Sequence, residues 1–340
     1  MLKLEYTRYV LHFKRPSQTS RETLTEKETF FLKAWDTDAP ERYGIGECAL
    51  FRGLSAEDLP EFEATLQSVC QQGAEADPAR LERWSSIRFG LETALASLNS
   101  PQEGILFPSP FTEGREAIEI NGLIWMGSKE YMLEQIQEKL ANGFHCIKLK
   151  IGGIDFESEL ALLHYIRERY PKEQIEIRVD ANGAFTPQEA LHKLERLAAF
   201  ELHSIEQPIR AGQFKEMAEL CRKSPVPIAL DEELIHHFTP TERTALVETL
   251  RPQFLVIKPS LHGGLSGTKE WIEAARGIGA GWWITSALES NIGLNAIAQF
   301  TARLHPTIPQ GLGTGSLYTN NLPSPLRLTG ERLWFNPEKR

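Results

Sequence analysis

The chain has 340 residues, of which 41% are hydrophobic and 24% are charged, so it can bury a sizeable core, and wholesale disorder is excluded. Its 37 basic and 46 acidic side chains leave a formal charge of −9 without a strongly basic stretch, which argues against nucleic acid or an anionic membrane as the main partner. An anionic small molecule stays open, because one site can be locally cationic on an acidic protein. The length fits one large domain and one smaller one.

The four cysteines lie far apart and form no CxxC pair, which indicates reduced thiols rather than a disulfide framework or a thiolate zinc site. The first residues mix charged and apolar side chains and lack the hydrophobic run of a signal peptide. No window approaches the roughly 18 uninterrupted apolar residues that a membrane-spanning helix needs. We therefore expect a cytoplasmic protein.

The first hundred residues have the pattern of a small α+β unit, because strands come first and helices follow. Strands are predicted over 2–13, 26–35 and 43–48, with a polar loop over 15–20. Helices are predicted over about 56–72 and 85–99. A stretch rich in Pro, Gly and Ser over 101–110 predicts a linker, so we place the domain boundary at residue 110.

From about residue 117, short apolar strands alternate with amphipathic helices. The predicted strands include 146–151, 175–180, 204–206, 228–231, 254–258 and 282–286. Thr186 and Thr239 each open a capping box with proline next to it, which marks a helix start. An alternation of this length predicts an α/β fold with a parallel sheet under covering helices, most economically a closed barrel over 111–315.

Polar or charged residues end successive predicted strands at the period of one βα unit. The steps between them are 30, 26, 25, 27 and 28 residues, for Lys150, Asp180, Glu206, Asp231, Lys258 and Ser286. Each therefore lies at the carboxyl end of a strand, the face on which such barrels build their active sites. We expect these side chains to converge on one pocket.

Three of these residues are carboxylates, and like charges a few ångströms apart are disfavoured unless they are protonated or bridged by a cation. Carboxylates without Cys or His favour Mg²⁺ over zinc, so Asp180, Glu206 and Asp231 predict a magnesium site. The alternative is that they face solvent or pair with nearby arginines. That alternative is weaker for three consecutive units than for one.

Two lysine positions flank the carboxylates. Lys148 and Lys150 are two residues apart in one strand and point to the same face, whereas Lys258 approaches from the opposite side. A basic group opposite a metal ion suits removal of a proton α to a carboxylate. A surface ion pair is the alternative for each lysine. By the same alternation Arg178 points inward, where it either orients a metal ligand or balances charge.

The glycine-rich segment near the carboxyl terminus and the histidines give weaker indications of function. Residues 311–316 imitate a phosphate-binding loop, but no clear helix follows them, so a turn facing the substrate and a plain loop both stay open. His236, His237 and His262 lack metal-ligand spacing and are predicted to lie at the surface. No GxSxG or HExxH string occurs.

Together these residues resemble the enolase superfamily, and within it the o-succinylbenzoate synthase family most closely. The resemblance spans nearly the whole chain. Its strings are GIGECAL (44–50), SIRFGLETALASL (86–98), CIKLKIGG (146–153), RVDANGAF (178–185), SIEQPI (204–209), ALDEEL (229–234), VIKPSLHGG (256–264) and ITSALESNIGLNAIAQF (284–300). As a set they are specific to the superfamily, although any one of them alone is weak.

The resemblance implies a modified (β/α)7β TIM-like barrel with an α+β capping domain, formed by 1–110 with residues about 316–340 packing back on it. It implies that Asp180, Glu206 and Asp231 bind one Mg²⁺, or Mn²⁺ in its place. Lys150 would be the acid/base, supported by Lys148, and Lys258 would act from the opposite face. The other implied residues are Glu232 behind the metal ligands, the closing loop 50–53, and Arg52, Ser286 and Gly313 at the substrate.

The implied reaction is the syn dehydration of 2-succinyl-6-hydroxy-2,4-cyclohexadiene-1-carboxylate to 2-succinylbenzoate in menaquinone biosynthesis, a carbon–oxygen lyase reaction. Members of the mandelate racemase type use a late-strand His, where this chain has Thr285-Ser286. Dipeptide epimerases carry an Asp-x-Asp pair where residues 286–290 read S-A-L-E-S. N-acylamino acid racemases stay an alternative, as does a non-catalytic barrel that binds a carboxylated ligand. The partner is then a small carboxylate, and a homo-oligomer stays open.

Overall fold

The computed structural model of the protein describes residues 1–18 and 23–339. Within these ranges the amino-terminal part forms an antiparallel sheet in the order β1-β2-β3, with bounds Leu2–Gln18, Thr23–Asp36 and Ala39–Cys48. All three strands are longer than predicted, because cross-strand pairing extends them into polar residues. The predicted loop over 15–20 is wrong for residues 15–18, which continue β1, and its last two residues lie outside the described ranges.

Two helices pack on this sheet, α1 (Phe62–Gln72) and α2 (Ser85–Asn99). The second matches its predicted bounds, but the first begins six residues later than predicted. Pro60 explains the difference, since the residue before a proline avoids the helical region. Buried apolar side chains from β1, β2, β3 and both helices form a separate core here.

The rest of the chain is mixed α/β. Within residues 23–339, seven parallel strands form one sheet in the order β11-β10-β9-β8-β7-β6-β5. Their bounds are β5 Gly122–Ile124, β6 Cys146–Lys150, β7 Glu176–Asp180, β8 Ser204–Glu206, β9 Ile228–Leu230, β10 Phe254–Ile257 and β11 Gly281–Ile284. Each strand pairs with the next along the chain, which is the pattern of right-handed βαβ crossovers.

The helices between these strands, and the last helix, cover the sheet. Their bounds are α3 Lys129–Ala141, α4 Phe156–Arg167, α5 Pro187–Leu197, α6 Phe214–Lys223, α7 Pro240–Leu250, α8 Gly264–Gly277 and α9 Asn291–Arg303. Both predicted capping boxes are present, at Thr186 and Thr239. Side chains from the outer face of the sheet and from these helices make the main core. None of the helices within 1–18 and 23–339 is both long and apolar enough to span a lipid bilayer.

The two edges of the parallel sheet meet at one short segment, so the sheet is curled. Gln310 exchanges backbone hydrogen bonds with Glu119 (2.8 Å) and Asn121 (2.9 Å) beside β5. Gly311 does the same with Ile284 (2.8 Å) and Ser286 (3.1 Å) at the end of β11. Ala229, Val256 and Trp283 fill the inside of the curl towards the strand starts, which leaves its other end open for polar groups.

The carboxyl-terminal segment contacts both parts of the chain. Thr319 donates its backbone N–H to the carbonyl of His12 in β1 (2.9 Å), and Phe13 stacks near Tyr318. The hairpin of β12 (Leu326–Thr329) and β13 (Arg332–Phe335) pairs instead with β4 (Ile118–Glu119), at the start of the mixed α/β part. All four cysteines lie in the described ranges and are free thiols.

Glu47 joins the amino-terminal sheet to the amino terminus of α9. Its buried carboxylate accepts hydrogen bonds from the N–H of Ser290 (2.9 Å), the N–H of Gly293 (2.9 Å), and the hydroxyls of Ser290 (2.6 Å) and Thr29 (2.8 Å). A helix amino terminus favours a negative charge, and all four bonds need an acceptor. The carboxylate therefore holds the two parts together.

We expect Glu47→Gln to lower the free energy of unfolding by about 2–4 kcal/mol, because the amide turns one acceptor into a donor facing buried N–H or O–H groups. Urea unfolding measures the change. Glu5→Gln, at an exposed position of β1, is the control and should stay within about 0.5 kcal/mol of the parent protein. Equal stability of the two variants would contradict the role of Glu47.

Candidate active site

Strand register aligns three of the predicted residues in one row. Lys150 lies opposite Asp180 in the β6–β7 pair, and Asp180 lies opposite Glu206 in the β7–β8 pair. Asp231 follows β9 directly, and Lys258 follows β10 directly. All five side chains therefore come from the carboxyl ends of neighbouring strands, as the spacing predicts, and they share the open end of the curled sheet.

Two lysines lie among the carboxylates from the β6 side. The Nζ of Lys148 is 2.6 Å from Oε2 of Glu206 and 3.3 Å from Oδ2 of Asp180. The Nζ of Lys150 is 3.0 Å from the same Asp180 oxygen. Both lysines therefore point to one face of the strand. From the far side, the ammonium of Lys258 donates to Oδ2 of Asp231.

All three carboxylates are at most 1% exposed, and their pKa values respond to burial and to one another. Burial, with the charges of Asp180 and Asp231, raises the pKa of Glu206 to about 8. Burial, with Glu232 and Asp180, also raises the pKa of Asp231. Burial alone would raise the pKa of Asp180, but Lys150, Lys148 and Lys258 together hold it below its usual range.

Two carboxylate oxygens of the site have no hydrogen-bond partner among the described residues, Oε1 of Glu206 and Oδ1 of Asp231. Buried acceptors without a donor are costly, so these two oxygens are suited to bind a cation. As the side chains stand, no three His, Cys, Asp or Glu groups within 1–18 and 23–339 converge closely enough to hold a metal ion. The lysine ammonium groups instead neutralise the carboxylates directly.

The same carboxylates act on the lysines. Burial would lower the pKa of Lys258, but Asp231, Glu206 and Glu232 together raise it above its usual value. Burial would likewise lower the pKa of Lys148, but Glu206 and Asp180 raise it. Both ammonium groups are therefore stabilised as cations in this arrangement.

Asn182 is a site residue that the motif reasoning missed. Its Oδ1 accepts a hydrogen bond from the Nζ of Lys150 (2.7 Å), and its Nδ2 donates to Oε1 of Glu232 (3.0 Å). Its backbone has a φ of 44°, a left-handed conformation that Asn tolerates better than most residues. Its position could have indicated a role in the site, because Asn182 lies two residues beyond Asp180, where β7 ends. Asn182 also connects Glu232 to the lysine.

A cavity of about 360 Å³ opens above these side chains. Its floor includes Lys148, Lys150, Asp180, Asn182 and Lys258. The amino-terminal part contributes residues 51–53 of the predicted closing loop to the wall, whereas Leu50 is fully buried behind it. The cavity is thus enclosed by both parts of the chain.

All three residues predicted to contact the substrate, Arg52, Ser286 and Gly313, lie in the cavity wall. The side chains of Arg52 and Ser286 already have partners within the protein. Arg52 is held by ion pairs with Glu28 and Asp58, so its guanidinium is already engaged. The hydroxyl of Ser286 is 2.6 Å from that of Thr314, and Gly313 lies beside them. The glycine-rich segment 311–316 therefore forms one wall of the cavity and pairs with β11, and it does not open a helix as a phosphate loop would.

Arg178 does not support the carboxylates. It is fully buried, but its guanidinium bonds Glu176 (2.7 Å) and the carbonyl of Pro309 (2.9 Å) and stacks 4.4 Å from the ring of Trp283. The inward direction is as predicted. Of the two roles left open for Arg178, its ion pair with Glu176 fits charge balance, and no hydrogen bond to a carboxylate of the row occurs among the described residues. Glu176 lies two residues earlier on the same face, and its carboxylate pairs with the Arg178 guanidinium, which therefore points towards the start of the strand.

The prediction that the three histidines lie at the surface holds only for His236, which is exposed. His237 is half-buried, and His262 is 1% exposed. His262 is buried because its imidazole accepts a hydrogen bond from a buried backbone N–H, and the spacing of the histidines carries no information on such a contact.

Comparison with known proteins adds independent information. Residues 131–332 match the family model described as "Enolase C-terminal domain-like". The chain is 47% identical to the o-succinylbenzoate synthase of Desulfotalea psychrophila, over 97% of this chain and 98% of that protein. It is 22% identical to the L-Ala-D/L-Glu epimerase of Bacillus subtilis, over 89% of this chain and 85% of that protein.

Solved structures give the same picture. The crystal structure of MenC from Desulfotalea psychrophila superimposes with a TM-score of 0.87 at 44% identity, covering 98% of this chain and 99% of that chain. The Bacillus subtilis epimerase superimposes with a TM-score of 0.82 at 19% identity, covering 98% and 95%. At that low identity the second likeness concerns the fold alone.

Proposed function

This chain belongs to the enolase superfamily, and from that membership we propose that it catalyses the o-succinylbenzoate synthase reaction. It dehydrates 2-succinyl-6-hydroxy-2,4-cyclohexadiene-1-carboxylate to 2-succinylbenzoate, a hydro-lyase step of menaquinone biosynthesis. The observation that carries the proposal is the pair of lysines, Lys150 and Lys258, on opposite sides of one carboxylate row beneath an enclosed cavity. The 47% identity to an o-succinylbenzoate synthase along nearly the full length supports it.

For the architecture, we propose the modified (β/α)7β barrel, in which residues 310–311 take the position of the closing strand. The hydrogen bonds of Gln310 and Gly311 to both sheet edges support this. We propose 1–110 as the capping domain, with residues 316–320 packing back on it, and 111–315 as the barrel. The expectation that the whole segment 316–340 packs on the cap is wrong for the hairpin of β12 and β13, which pairs with β4 of the barrel. A cytoplasmic location and a small carboxylate as the partner complete the proposal.

The residues that would hold one Mg²⁺, or Mn²⁺ in its place, are Asp180, Glu206 and Asp231. Two observations support this assignment: the oxygens of Glu206 and Asp231 without a partner among the described residues, and the raised pKa of Glu206. A divalent cation would bind these oxygens and stabilise the charged form of Glu206. A bound cation would supply positive charge where the substrate carboxylate gains negative charge as its α proton leaves. The general scheme of a lysine base with Mg²⁺ is the one that describes this superfamily.

Lys150 would take the proton α to the ring carboxylate and return it to the departing hydroxyl on the same face of the ring. One C–H bond and one C–O bond break, water leaves, and the ring becomes aromatic. Two hydrogen bonds hold the Nζ of Lys150, to Asp180 and Asn182, which directs the amine towards the cavity. One group can serve as base and then as acid because both events occur on one face.

Lys258 would stay protonated and stabilise the negative charge from the opposite face. Its raised pKa and its ion pair with Asp231 support that role. Lys148, paired with Glu206, would balance the charge of the carboxylates. Glu232 would act through its hydrogen bond with Asn182. Arg52, Ser286 and Gly313 would contact the substrate.

The second candidate is a racemase of N-acylated amino acids or a dipeptide epimerase of the same superfamily. Lysines on both faces of a substrate are what a two-base racemisation needs, so the geometry accommodates it. Residues 286–290 read S-A-L-E-S and lack the acidic pair expected of the dipeptide epimerases, which favours the lyase.

Turnover of the cyclohexadiene substrate, followed by its ultraviolet absorbance change, tests the proposal. We expect conversion with Mg²⁺ and its loss in excess chelator, with recovery when Mg²⁺ is added back, because three carboxylates without His or Cys select a hard cation. Zn²⁺ in place of Mg²⁺ is the control and should restore far less. Absent conversion, together with deuterium exchange at the α-carbon of N-acylamino acids in D₂O, would instead establish the racemase.

A further inference from the structure

The turn that follows β10 is closed by one imidazole. Nδ1 of His262 accepts a hydrogen bond from the backbone N–H of Lys258 (3.0 Å), and the backbone N–H of His262 donates to the carbonyl of Lys258 (2.9 Å). Leu261 donates to the same carbonyl (2.9 Å). Both polar backbone groups of Lys258 are therefore bound within the turn.

The imidazole satisfies a donor that the sheet leaves over. Pairing of β10 with β11 reaches Ile257, and its pairing with β9 reaches only Leu255, so the N–H of Lys258 lies beyond both registers. A buried N–H without an acceptor is costly, and here the side chain four residues later supplies one. Because Nδ1 accepts, the ring is neutral with its proton on Nε2. Burial, with Lys258 and Arg243 nearby, holds the pKa of His262 well below its usual value.

The same turn is anchored from a second side. The hydroxyl of Ser260 donates to Oε1 of the buried Glu289, whose other oxygen accepts from the N–H of Ala287 (2.8 Å). This bond connects the turn after β10 to the loop after β11. The backbone at Lys258 is thus fixed both within its own turn and against the neighbouring strand end.

We propose that His262 is a positioning residue for Lys258, whose backbone it holds so that the ammonium lies against Asp231 and opposite Lys150. The inference rests on the proposed function, because it concerns the position of Lys258, the lysine proposed to stabilise the negative charge. His262 does not line the cavity among the described residues, so it acts through Lys258 and has no direct contact with the substrate. A displacement of about 1 Å at a reacting group costs about 10²-fold in rate.

Two variants of the full chain test the acceptor. In His262→Leu the N–H of Lys258 loses its partner, and we expect kcat to fall by about 30–100-fold while KM changes by less than about 2-fold. In His262→Asn the Oδ1 atom takes the place of Nδ1, and kcat should recover to within about 5-fold of the parent. Leu246→Ala, at a buried position of α7 outside the described lining of the cavity, controls for general loss of stability and should keep kcat.

A double-mutant cycle shows whether the effect passes through Lys258. In the Lys258→Ala background, adding His262→Leu should cost less than about 2-fold in kcat. Full additivity would overturn the proposal, as would His262→Asn being as slow as His262→Leu, or a parental kcat in His262→Leu. Should His262→Leu not fold, His262→Gln replaces it in the same cycle. If the parent protein itself has no lyase activity, the proposed function is contradicted. That result is distinct from a failure of the role of His262, which requires an active parent protein.

Discussion

Lys150→Ala is expected to lower kcat for dehydration by about 10³–10⁴-fold while the protein stays folded and still binds Mg²⁺. Lys150 is the lysine whose ammonium bonds both Asp180 and Asn182 on the cavity floor. Alanine removes the group that exchanges the proton. Lys148 keeps its own contact with Asp180 at 3.3 Å, so the buried carboxylate is not left without a cation.

The measurement is single-turnover kinetics with the cyclohexadiene substrate at saturating Mg²⁺. Lys215→Ala is the matched control, because Lys215 is an exposed lysine in the first turn of α6, and it should leave kcat unchanged. The thermal midpoint and the Mg²⁺ titration of Lys150→Ala should match those of the parent within a few degrees and about 3-fold. Undiminished turnover in Lys150→Ala would refute its assignment as the base.

Glu206→Gln is expected to weaken Mg²⁺ binding by about 10²–10³-fold, with a parallel loss of activity at physiological Mg²⁺. Its Oε1 atom is one of the buried oxygens without a partner among the described residues, and an amide brings no charge to a cation. The amide oxygen can still accept from Lys148, so the fold should persist. The loss then reports on the cation and not on unfolding.

Thermal unfolding with and without Mg²⁺ measures this effect independently of catalysis. At about 100 times its Kd, a ligand that binds only the folded state adds about 2.7 kcal/mol of stability, so Mg²⁺ should raise the midpoint of the parent protein. Glu206→Gln should lose this rise. Glu219→Gln, at an exposed position of α6, is the control and should keep it. A full Mg²⁺-dependent rise in Glu206→Gln would remove Glu206 from the set of ligands.

Sequence reasoning was accurate where chemistry follows from position along one strand. The alternation of a β-strand placed Lys148 and Lys150 on one face, and both contact Asp180. Thr186 and Thr239 marked helix starts because a capping box is a local arrangement of four residues. The first helix was predicted six residues too long, since the pattern of apolar residues outweighed the local effect of Pro60.

Prediction from the sequence was less accurate where several groups from distant segments compete for one side chain. Arg178 points inward as predicted, yet Glu176 and the carbonyl of Pro309 draw its guanidinium away from the carboxylates. His262 is buried because the end of β10 leaves one N–H without an acceptor. Neither choice is visible in a linear pattern, because it depends on which competing groups lie within about 3 Å of the side chain.

By itself, therefore, the sequence determined the alternation of strands and helices and the residues that end the strands, because the period of each element is encoded locally. That was enough to predict a carboxylate row flanked by lysines, and the strand register aligns it. Only the tertiary structure decided how each charge is compensated: which lysine contacts which carboxylate, that Asn182 connects Lys150 to Glu232, and that two carboxylate oxygens keep no donor among the described residues. The physical reason is that electrostatic compensation in a buried site depends on distances between strand ends that lie 27 to 58 residues apart in the sequence, and only packing sets those distances.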